Sequence, residues 1–307
     1  MSVLRYVPFT SVGQNEKIPS VICLGKFDGV HKGHTKLIDE TKKMSERLES
    51  RACALCFFPS PADYFAKATI RHVLTLEEKL EVFKKSGIDG VYICNFEKIY
   101  DYSPDKFIDE ILIQNCNCIG TVCGFNYRFG YKASGKPEDL RARFENFEKV
   151  PAVMINEQTV STSLIKEKIE QGKIEEANEM LGRPFSISHT VVHGKSLGKK
   201  LGFPTINYVF EDSRIIPSFG VYATLTEIDG NEYISATNIG VRPTVSSSET
   251  VTCETYVINY EGDLYEENVT ISFMKKLRDE KHFSSMDELS AAIATDVENT
   301  KIYFGLK

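Results

Sequence analysis

The strongest constraint on the fold is a regular alternation of short apolar runs with segments of helical periodicity, which begins at residue 21. The apolar runs read VICLG, ALCFF, VYICNF, IGTVCGF and VPAVMI. Between them lie amphipathic stretches: one with Leu37, Thr41, Met44 and Leu48 on a single face, then LTLEEKLEVFKK, SPDKFIDEILIQ and residues 137–147. Strands that alternate with helices form βαβ units, so we predict a parallel sheet covered by helices on both faces.

The pattern changes after Val160. Two short helical segments, SLIKEKIEQG and KIEEANEMLG, lead to Gly182-Arg183-Pro184, a sequence typical of a hinge. Strand-like segments follow, which read SISHTVVHG, GVYATLTEI, EYISATNIG, TCETYVINY and NVTISFMKK, and a last helix carries Met286, Leu289, Ile293 and Val297 on one stripe. We therefore predict two domains: a Rossmann-like α/β domain over residues 1–182, and a small antiparallel β-barrel with a C-terminal helix over residues 183–307.

Composition narrows the classes of function. The net charge of −6 argues against a protein whose main role is to coat nucleic acid. No run of about 18 apolar residues is present to span a bilayer, and the N-terminus lacks the layout of a secretory signal. Most of the eight cysteines lie in apolar runs, where a reduced thiol behaves as a small hydrophobe. We expect a cytoplasmic protein that acts on small molecules, without a nucleic-acid or membrane partner.

A segment rich in glycine and histidine, GKFDGVHKGH, directly follows the first apolar run and opens the first predicted helix. In open parallel sheets, ligands bind beyond the carboxyl ends of the strands. Glycines there let the backbone approach a phosphate, and a helix N-terminus favours its negative charge. His31 and His34 are three residues apart and share one helix face, from which two imidazoles can donate hydrogen bonds to phosphoryl oxygens. A lone histidine near a helix start is more often a capping or surface residue; the combination with Asp28 favours a phosphate site.

A second candidate site lies in the C-terminal half, in the segment VVHGKSLGKKLGFPTINY. No GxxxxGK[ST] motif is present, so this half is not a P-loop enzyme. A loop of glycine and lysine can fold over phosphates, and a threonine hydroxyl beside an asparagine amide can hold magnesium. The alternative is a hairpin with a basic tip and no catalytic role.

Both halves resemble the bacterial bifunctional riboflavin kinase/FMN adenylyltransferases, also called FAD synthetases. In the first half the resemblance covers GKFDGVHKGH, FFPSP, LTLEEKLEVFKKSGIDGVYICNF and CGFNYRFGYKASG. In the second half it covers LGRPFSISHTVVHG, LGFPTIN, FGVYA, ATNIGVRPT, CETYVINY and KKLRDEKHF. It implies phosphorylation of riboflavin to FMN in the C-terminal domain and adenylylation of FMN to FAD, with release of pyrophosphate, in the N-terminal domain. Each step would use ATP and Mg²⁺.

The resemblance also implies roles for individual residues. His31 and His34 would bind ATP phosphates and stabilise the transition state, and Glu254 would be the catalytic base of the kinase. The further ATP or phosphate ligands would be Gly25, Phe27, Asp28, Gly33, Asn126, Ser163 and Lys166 in the first site, and Gly194, Lys199, Gly202, Thr205 and Asn207 in the second. Flavin would contact Pro59, Pro61 and Arg278, and Thr205 and Asn207 would hold the magnesium ion.

The sequence departs from the family pattern at a few positions, and two alternatives stay open. Lys166 stands where arginine is usual, so a bidentate phosphate contact is replaced by a point charge. The protein would then be mainly a riboflavin kinase with weak adenylyltransferase activity. In the other alternative it is a flavin-binding or RNA-binding regulator with relict sites. Three histidines outside the motifs, His72, His189 and His282, are expected to have surface or core roles.

Overall fold

The computed structural model describes residues 3–10, 18–192, 202–242 and 250–306. Contacts between residues divide the chain into two compact units, Met1–Thr162 and Ser163–Lys307. This division falls before the two helical segments that we predict at the end of the first domain. The predicted boundary after residue 182 remains a prediction.

The first unit is built on a six-stranded sheet with the strand order β1-β4-β3-β2-β5-β6. Strand β1 is antiparallel to β4, and the other pairs are parallel. The strands are β1 Leu4–Pro8, β2 Ser20–Leu24, β3 Arg51–Phe57, β4 Gly90–Cys94, β5 Cys118–Gly124 and β6 Asn146–Val150, and a short hairpin follows with β7 Met154–Ile155 and β8 Gln158–Thr159. The helices are α1 Lys32–Arg47, α2 Pro61–Phe65, α3 Leu76–Lys85, α4 Pro104–Lys106, which continues as a π-helix over Phe107–Asn115, and α5 Pro137–Arg143. Single 3₁₀ turns occupy Phe96–Lys98 and Tyr131–Ala133.

The predicted α/β architecture of this unit is confirmed, with two differences at the sheet edges. Strand β1 was not predicted, and the last strand of the sheet is β6, which reads NFEKV and shares only Val150 with the predicted apolar run VPAVMI. Only Val150 of β6 is fully buried. An edge strand needs fewer apolar residues than the central β2, all of whose residues are buried, so a search for apolar runs misses it.

The second unit is a curled antiparallel sheet of six strands, in the order β10-β13-β12-β11-β14-β9. A bridge between Val192 and Asn207 joins the chain after β9 to β10, so the two edges of the sheet meet as the barrel prediction requires. The strands are β9 Phe185–Thr190, β10 Thr205–Val209, β11 Gly220–Ile228, β12 Asn231–Arg242, β13 Thr250–Val257 and β14 Asn268–Asp279. The helices are α6 Thr162–Glu170, α7 Ile174–Leu181 and the C-terminal α8 Met286–Tyr303, which packs against the barrel.

Helix α7 is tied to the barrel by one side chain at its C-terminal end. The Asn178 amide nitrogen donates to the Phe273 carbonyl at 2.8 Å, and its oxygen accepts from the Phe185 N–H at 2.6 Å. Gly182 ends the helix in the left-handed conformation that glycine adopts without strain. These bonds explain why α7 belongs to the second unit and not to the first.

A ladder of buried hydroxyl groups lines the inner face of the barrel. Thr224, Ser235, Thr237 and Thr255 are all fully buried. Thr224 Oγ1 lies 2.9 Å from the Ser235 carbonyl and 2.8 Å from Thr237 Oγ1, which in turn lies 2.8 Å from Thr255 Oγ1. Because each hydroxyl can both donate and accept, the ladder satisfies itself without water.

Replacing a core phenylalanine of the barrel should destabilise the second unit alone. Phe273 is fully buried, with its ring 5.6 Å from Phe185 and 5.4 Å from Tyr222. We expect Phe273→Ala to cost about 3–5 kcal/mol of unfolding free energy. Hydrogen-exchange mass spectrometry should show lost protection in peptides from the second unit only. The half-exposed Phe219→Ala is the control, and equal losses in both units would contradict separate cores.

Candidate active sites

Three loops of the first unit start at one edge of its sheet. The loops follow β2, β3 and β5, and β3 and β5 flank β2 on either side. In a parallel sheet the carboxyl ends of neighbouring strands lie together, and the strand order reverses at β2, where such sheets bind ligands. The predicted residues Asp28, Pro59 and Asn126 each lie in one of these loops.

The two histidines of the first loop form the N-terminal end of α1. His31 is the N-cap residue, and its ring nitrogen Nδ1 accepts from the His34 backbone N–H at 3.4 Å. The two imidazoles stack with centroids 3.8 Å apart and planes 18° from parallel. His31 is 7% exposed and His34 8%, so the pair is held in place with only a small surface open to a ligand.

Residues around the stack fix its position. Phe27 is fully buried, and the centroid of its ring lies 4.8 Å from that of His34 and 5.1 Å from that of Phe83. It therefore supports the histidines from the core side. A Cβ atom at Gly33 would lie 3.0 Å from the His31 ring, and one at Gly25 would lie 3.1 Å from the Phe27 ring. The two glycines therefore leave room for the aromatic rings of this loop.

Asp28 is part of a network that the sequence did not reveal. Its carboxylate accepts from the Val73 backbone N–H at 3.1 Å and lies 3.3 Å from His72 Nδ1. The other ring nitrogen of His72 lies 2.7 Å from Asp63 of α2. His72, for which we expect a surface or core role, thus connects the loop after β2 to α2.

The network shifts the pKa of His72 and that of Asp63. The hydrogen bond to Asp28, together with the charge of Asp28 and the contact with Asp63, raises the pKa of His72 above 6.5 against the opposing effect of burial. Asp28 has the larger effect although its contact is longer, which agrees with its lower exposure, 14% against 31% for Asp63. Burial alone would raise the pKa of Asp63, but hydrogen bonds from Ser60 and His72 lower it below its usual range.

The loop after β3 carries the predicted flavin contacts Pro59 and Pro61. Pro59 follows a cis peptide bond, and Pro61 is the first residue of α2. Ser60 caps this helix, with reciprocal hydrogen bonds to Asp63. A cluster of aromatic side chains extends from the end of β3 over α2 and the turn after β4, and it was missed because its members are scattered in the sequence: Phe57, Tyr64, Phe65, Phe96 and Tyr100.

The remaining residues predicted for the first site lie in the turn after β5 and on α6. Asn126 is exposed in the turn after β5. Ser163 and Lys166 lie three residues apart on α6, which belongs by contact to the second unit. Their part in the first site remains a prediction.

A pocket of about 250 Å³ lies between the barrel and α8 in the second unit. The predicted residues Thr205, Glu254 and Arg278 all line it. Three side chains that the motifs did not single out line it too: Asn238, Tyr256 and Asp296. Leu289 and Ile293, from the apolar stripe of α8, form part of its apolar wall.

Strand register aligns two polar residues of this pocket, Glu254 and Asn238, with Asn207. Glu254 of β13 is paired with Asn207 of β10 on one side and with Asn238 of β12 on the other. Paired residues of neighbouring strands project from the same face, so the three side chains form a polar row. Asn207 is buried, and its amide nitrogen donates to the Thr205 carbonyl at 3.1 Å.

Arg278 is held by the C-terminal helix. Its Nε and Nη2 donate to the two carboxylate oxygens of Asp296 at 2.8 and 2.6 Å. The fork geometry of two parallel charge-assisted bonds fixes the guanidinium plane in the pocket wall.

Three further residues were predicted for the second site. Gly202 is an exposed residue with a φ of 84°, whereas the predicted Gly194 and Lys199 lie outside the described residues.

Comparisons with known proteins match each half to a family. The family model of FAD synthetase matches residues 13–164, and that of riboflavin kinase matches residues 181–304. Bifunctional riboflavin kinase/FMN adenylyltransferases are similar over nearly the whole length. That of Listeria monocytogenes is 30% identical over 94% of this chain and 93% of its own, and that of Buchnera aphidicola from Schizaphis graminum is 33% identical over 94% and 95%.

One solved structure is similar to this chain over most of its length. A Streptococcus pneumoniae protein described as a macrolide-efflux protein aligns with a TM-score of 0.85 and 29% identity, over 94% of this chain and 97% of its own. A search of the described part of this chain finds no helix with the length and apolar character needed to cross a membrane.

Substituting Gly33 should move His31 without harming stability. Alanine favours a helix over glycine by about 1 kcal/mol, but its Cβ would lie 3.0 Å from the His31 ring. For Gly33→Ala we expect an unchanged or higher melting temperature together with loss of the histidine stack. The stack is followed by the ring-current shifts of the His31 and His34 ring protons. Unchanged shifts would contradict the close packing inferred at this glycine.

Proposed function

Since the chain belongs to the bifunctional riboflavin kinase/FMN adenylyltransferase family, an enzyme family that makes FMN from riboflavin and FAD from FMN, we propose how its residues divide the two reactions. His31 and His34 serve adenylyl transfer, and Glu254 serves phosphorylation. The observation that carries this division is that the two groups lie in different units, one at the sheet edge beside β2 and the other in the barrel pocket.

The first site suits a reaction that needs charge stabilisation more than a base. The phosphate of FMN is mostly dianionic at neutral pH, because its second pKa is about 6. It can attack the α-phosphorus of ATP directly, with pyrophosphate as the leaving group. The bonds that break and form place negative charge on phosphoryl oxygens, which the imidazole N–H groups and the N-terminus of α1 stabilise.

The flavin side of this site is proposed to lie along the loop after β3. Pro59 precedes α2 and Pro61 begins it, and the aromatic cluster beside them includes the exposed Phe65. Flat aromatic side chains stack well on a fused ring system such as that of a flavin. This assignment adds an apolar surface to the two prolines expected from the sequence.

The second site suits phosphorylation of an alcohol. The terminal hydroxyl of riboflavin is a poor nucleophile, so its reaction benefits from a carboxylate that accepts its proton as the bond to the γ-phosphorus forms. Glu254 is the carboxylate in the polar row of the pocket. Arg278, which also lines the pocket and is oriented by Asp296, is proposed to contact the flavin.

The second site also has donors that fit a magnesium ion. Mg²⁺ prefers oxygen ligands, and Thr205 and Asn207 project from the same face of β10 beside Glu254. Because the Asn207 amide nitrogen donates to the Thr205 carbonyl, the amide oxygen is the end suited to a cation. The ion would neutralise charge on the ATP phosphates. A cytoplasmic location is part of the same proposal.

Removing both histidines should slow the formation of FAD but not the formation of FMN. We expect His31→Ala combined with His34→Ala to lower the rate of FAD formation from supplied FMN by about 10²-fold or more. FMN formation from riboflavin should stay at the wild-type rate. Chromatographic separation of the flavins measures both. The exposed His282→Ala is the control, and loss of both reactions in a folded protein would contradict separate sites.

Neutralising Glu254 should slow the phosphorylation of riboflavin but not the formation of FAD from FMN. Glu254→Gln keeps the shape of the side chain but removes the base, so riboflavin phosphorylation should fall by about 10²–10⁴-fold. FAD formation from FMN should not change. Glu232→Gln, at an exposed position of the same barrel, is the matched control. A kinase rate within twofold of wild type would rule out Glu254 as the base.

A further inference from the structure

A histidine outside the proposed catalytic pair joins the two substrate sides of the first site. We propose that His72 is a positioning residue for adenylyl transfer. As an imidazolium, it binds Asp28 and Asp63 at once. It thereby holds the loop after β2 (residues 25–31, the nucleotide loop) against the loop after β3 with α2 (residues 58–65, the flavin loop). This inference rests on the proposed function of the first site.

The hydrogen-bond geometry requires both ring protons. His72 Nδ1 lies 3.3 Å from an Asp28 carboxylate oxygen, and Nε2 lies 2.7 Å from an Asp63 carboxylate oxygen. Ionised carboxylates only accept hydrogen bonds, and a neutral imidazole has a single N–H. The ring can therefore donate to both carboxylates only in its doubly protonated form.

Each carboxylate is anchored to the substrate loop on its own side. Asp28 lies in the loop that leads to His31, and its carboxylate also accepts from the Val73 N–H. Asp63 belongs to the capping box of α2, which begins at Pro61. His72 thus connects the start of the histidine loop to the helix that carries the flavin contacts, rather than stabilising a part of the core remote from substrate.

The bridge should weaken as the pH rises. These two carboxylates face the ring from the elements packed against it, Asp28 from the loop after β2 and Asp63 from α2. They raise the pKa of His72 above 6.5, so the bridge is complete below that value and is lost as the pH passes through the raised pKa. One of the two hydrogen bonds is then broken, and the flavin loop loses its tie to the nucleotide loop.

Three variants of the full-length protein separate the bridge from a general structural role. His72→Gln removes the charge and cannot span both carboxylates. His72→Arg keeps a charge and several donors at every pH used. Asp63→Asn keeps the shape of the side chain but weakens the electrostatic effect on the histidine. FAD formation from FMN is measured across pH about 6 to about 9, a range around the ordinary histidine pKa, and riboflavin phosphorylation is measured on the same samples.

We expect His72→Gln to raise the KM for FMN about tenfold, as expected for one lost charge-assisted hydrogen bond, with a smaller change in kcat. His72→Arg should recover most of the affinity. Relative to this variant, whose substrates titrate identically, the wild-type KM for FMN should rise with pH. Asp63→Asn should move that rise in KM to lower pH. In NMR spectra of the wild-type protein, the His72 ring protons should titrate above pH 6.5.

Two results would overturn the inference. One is a KM for FMN in His72→Gln equal to that of wild type. The other is a wild-type pH profile that matches His72→Arg throughout. A wild-type protein that forms FMN but no FAD would instead contradict the proposed function of the first unit, so the two failures are distinguishable.

Discussion

The position of β2 in the middle of the first sheet determines where this unit can bind a ligand. All five residues of the strand are buried, and parallel neighbours lie on both sides. The chain must therefore leave β2 at the edge where β3 and β5 also end, and α1 must start there. The histidine stack, the cis-proline loop and the turn with Asn126 are brought together by this one feature, although they are widely separated in the sequence.

The second unit uses alternation along antiparallel strands for the same purpose. Neighbouring residues of a strand project from opposite faces. Thr237 and Thr255 therefore point into the barrel, while the adjacent Asn238 and Glu254 face α8. One register both completes the inner hydroxyl ladder and assembles the outer polar row. Strand register thus places the polar part of the pocket, and α8 closes it with an apolar wall and the carboxylate of Asp296.

Sequence reasoning predicted the features that are local in the chain. The histidine loop, the strand and helix alternation and the barrel strands β11, β12 and β14 follow from patterns within a few residues. His72, Asn238 and Asp296 could not be found in this way, because each acts through a partner that only the tertiary fold brings near. Strands β1 and β6 escaped for a different reason: edge strands bury fewer side chains, so their apolar pattern is weak.

The hydroxyl ladder limits how the barrel can change during evolution. Replacing a single threonine with valine would remove one hydrogen bond from each buried hydroxyl beside it, at a net cost of about 0.5–1.5 kcal/mol per bond, whereas replacing bonded partners together can be almost neutral. Thr224, Thr237 and Thr255 form one connected chain across three strands. Substitutions at these positions are therefore expected to occur together. Barrels of this kind should keep either the whole set of hydroxyl groups or an apolar interior, and mixtures of the two should be rare.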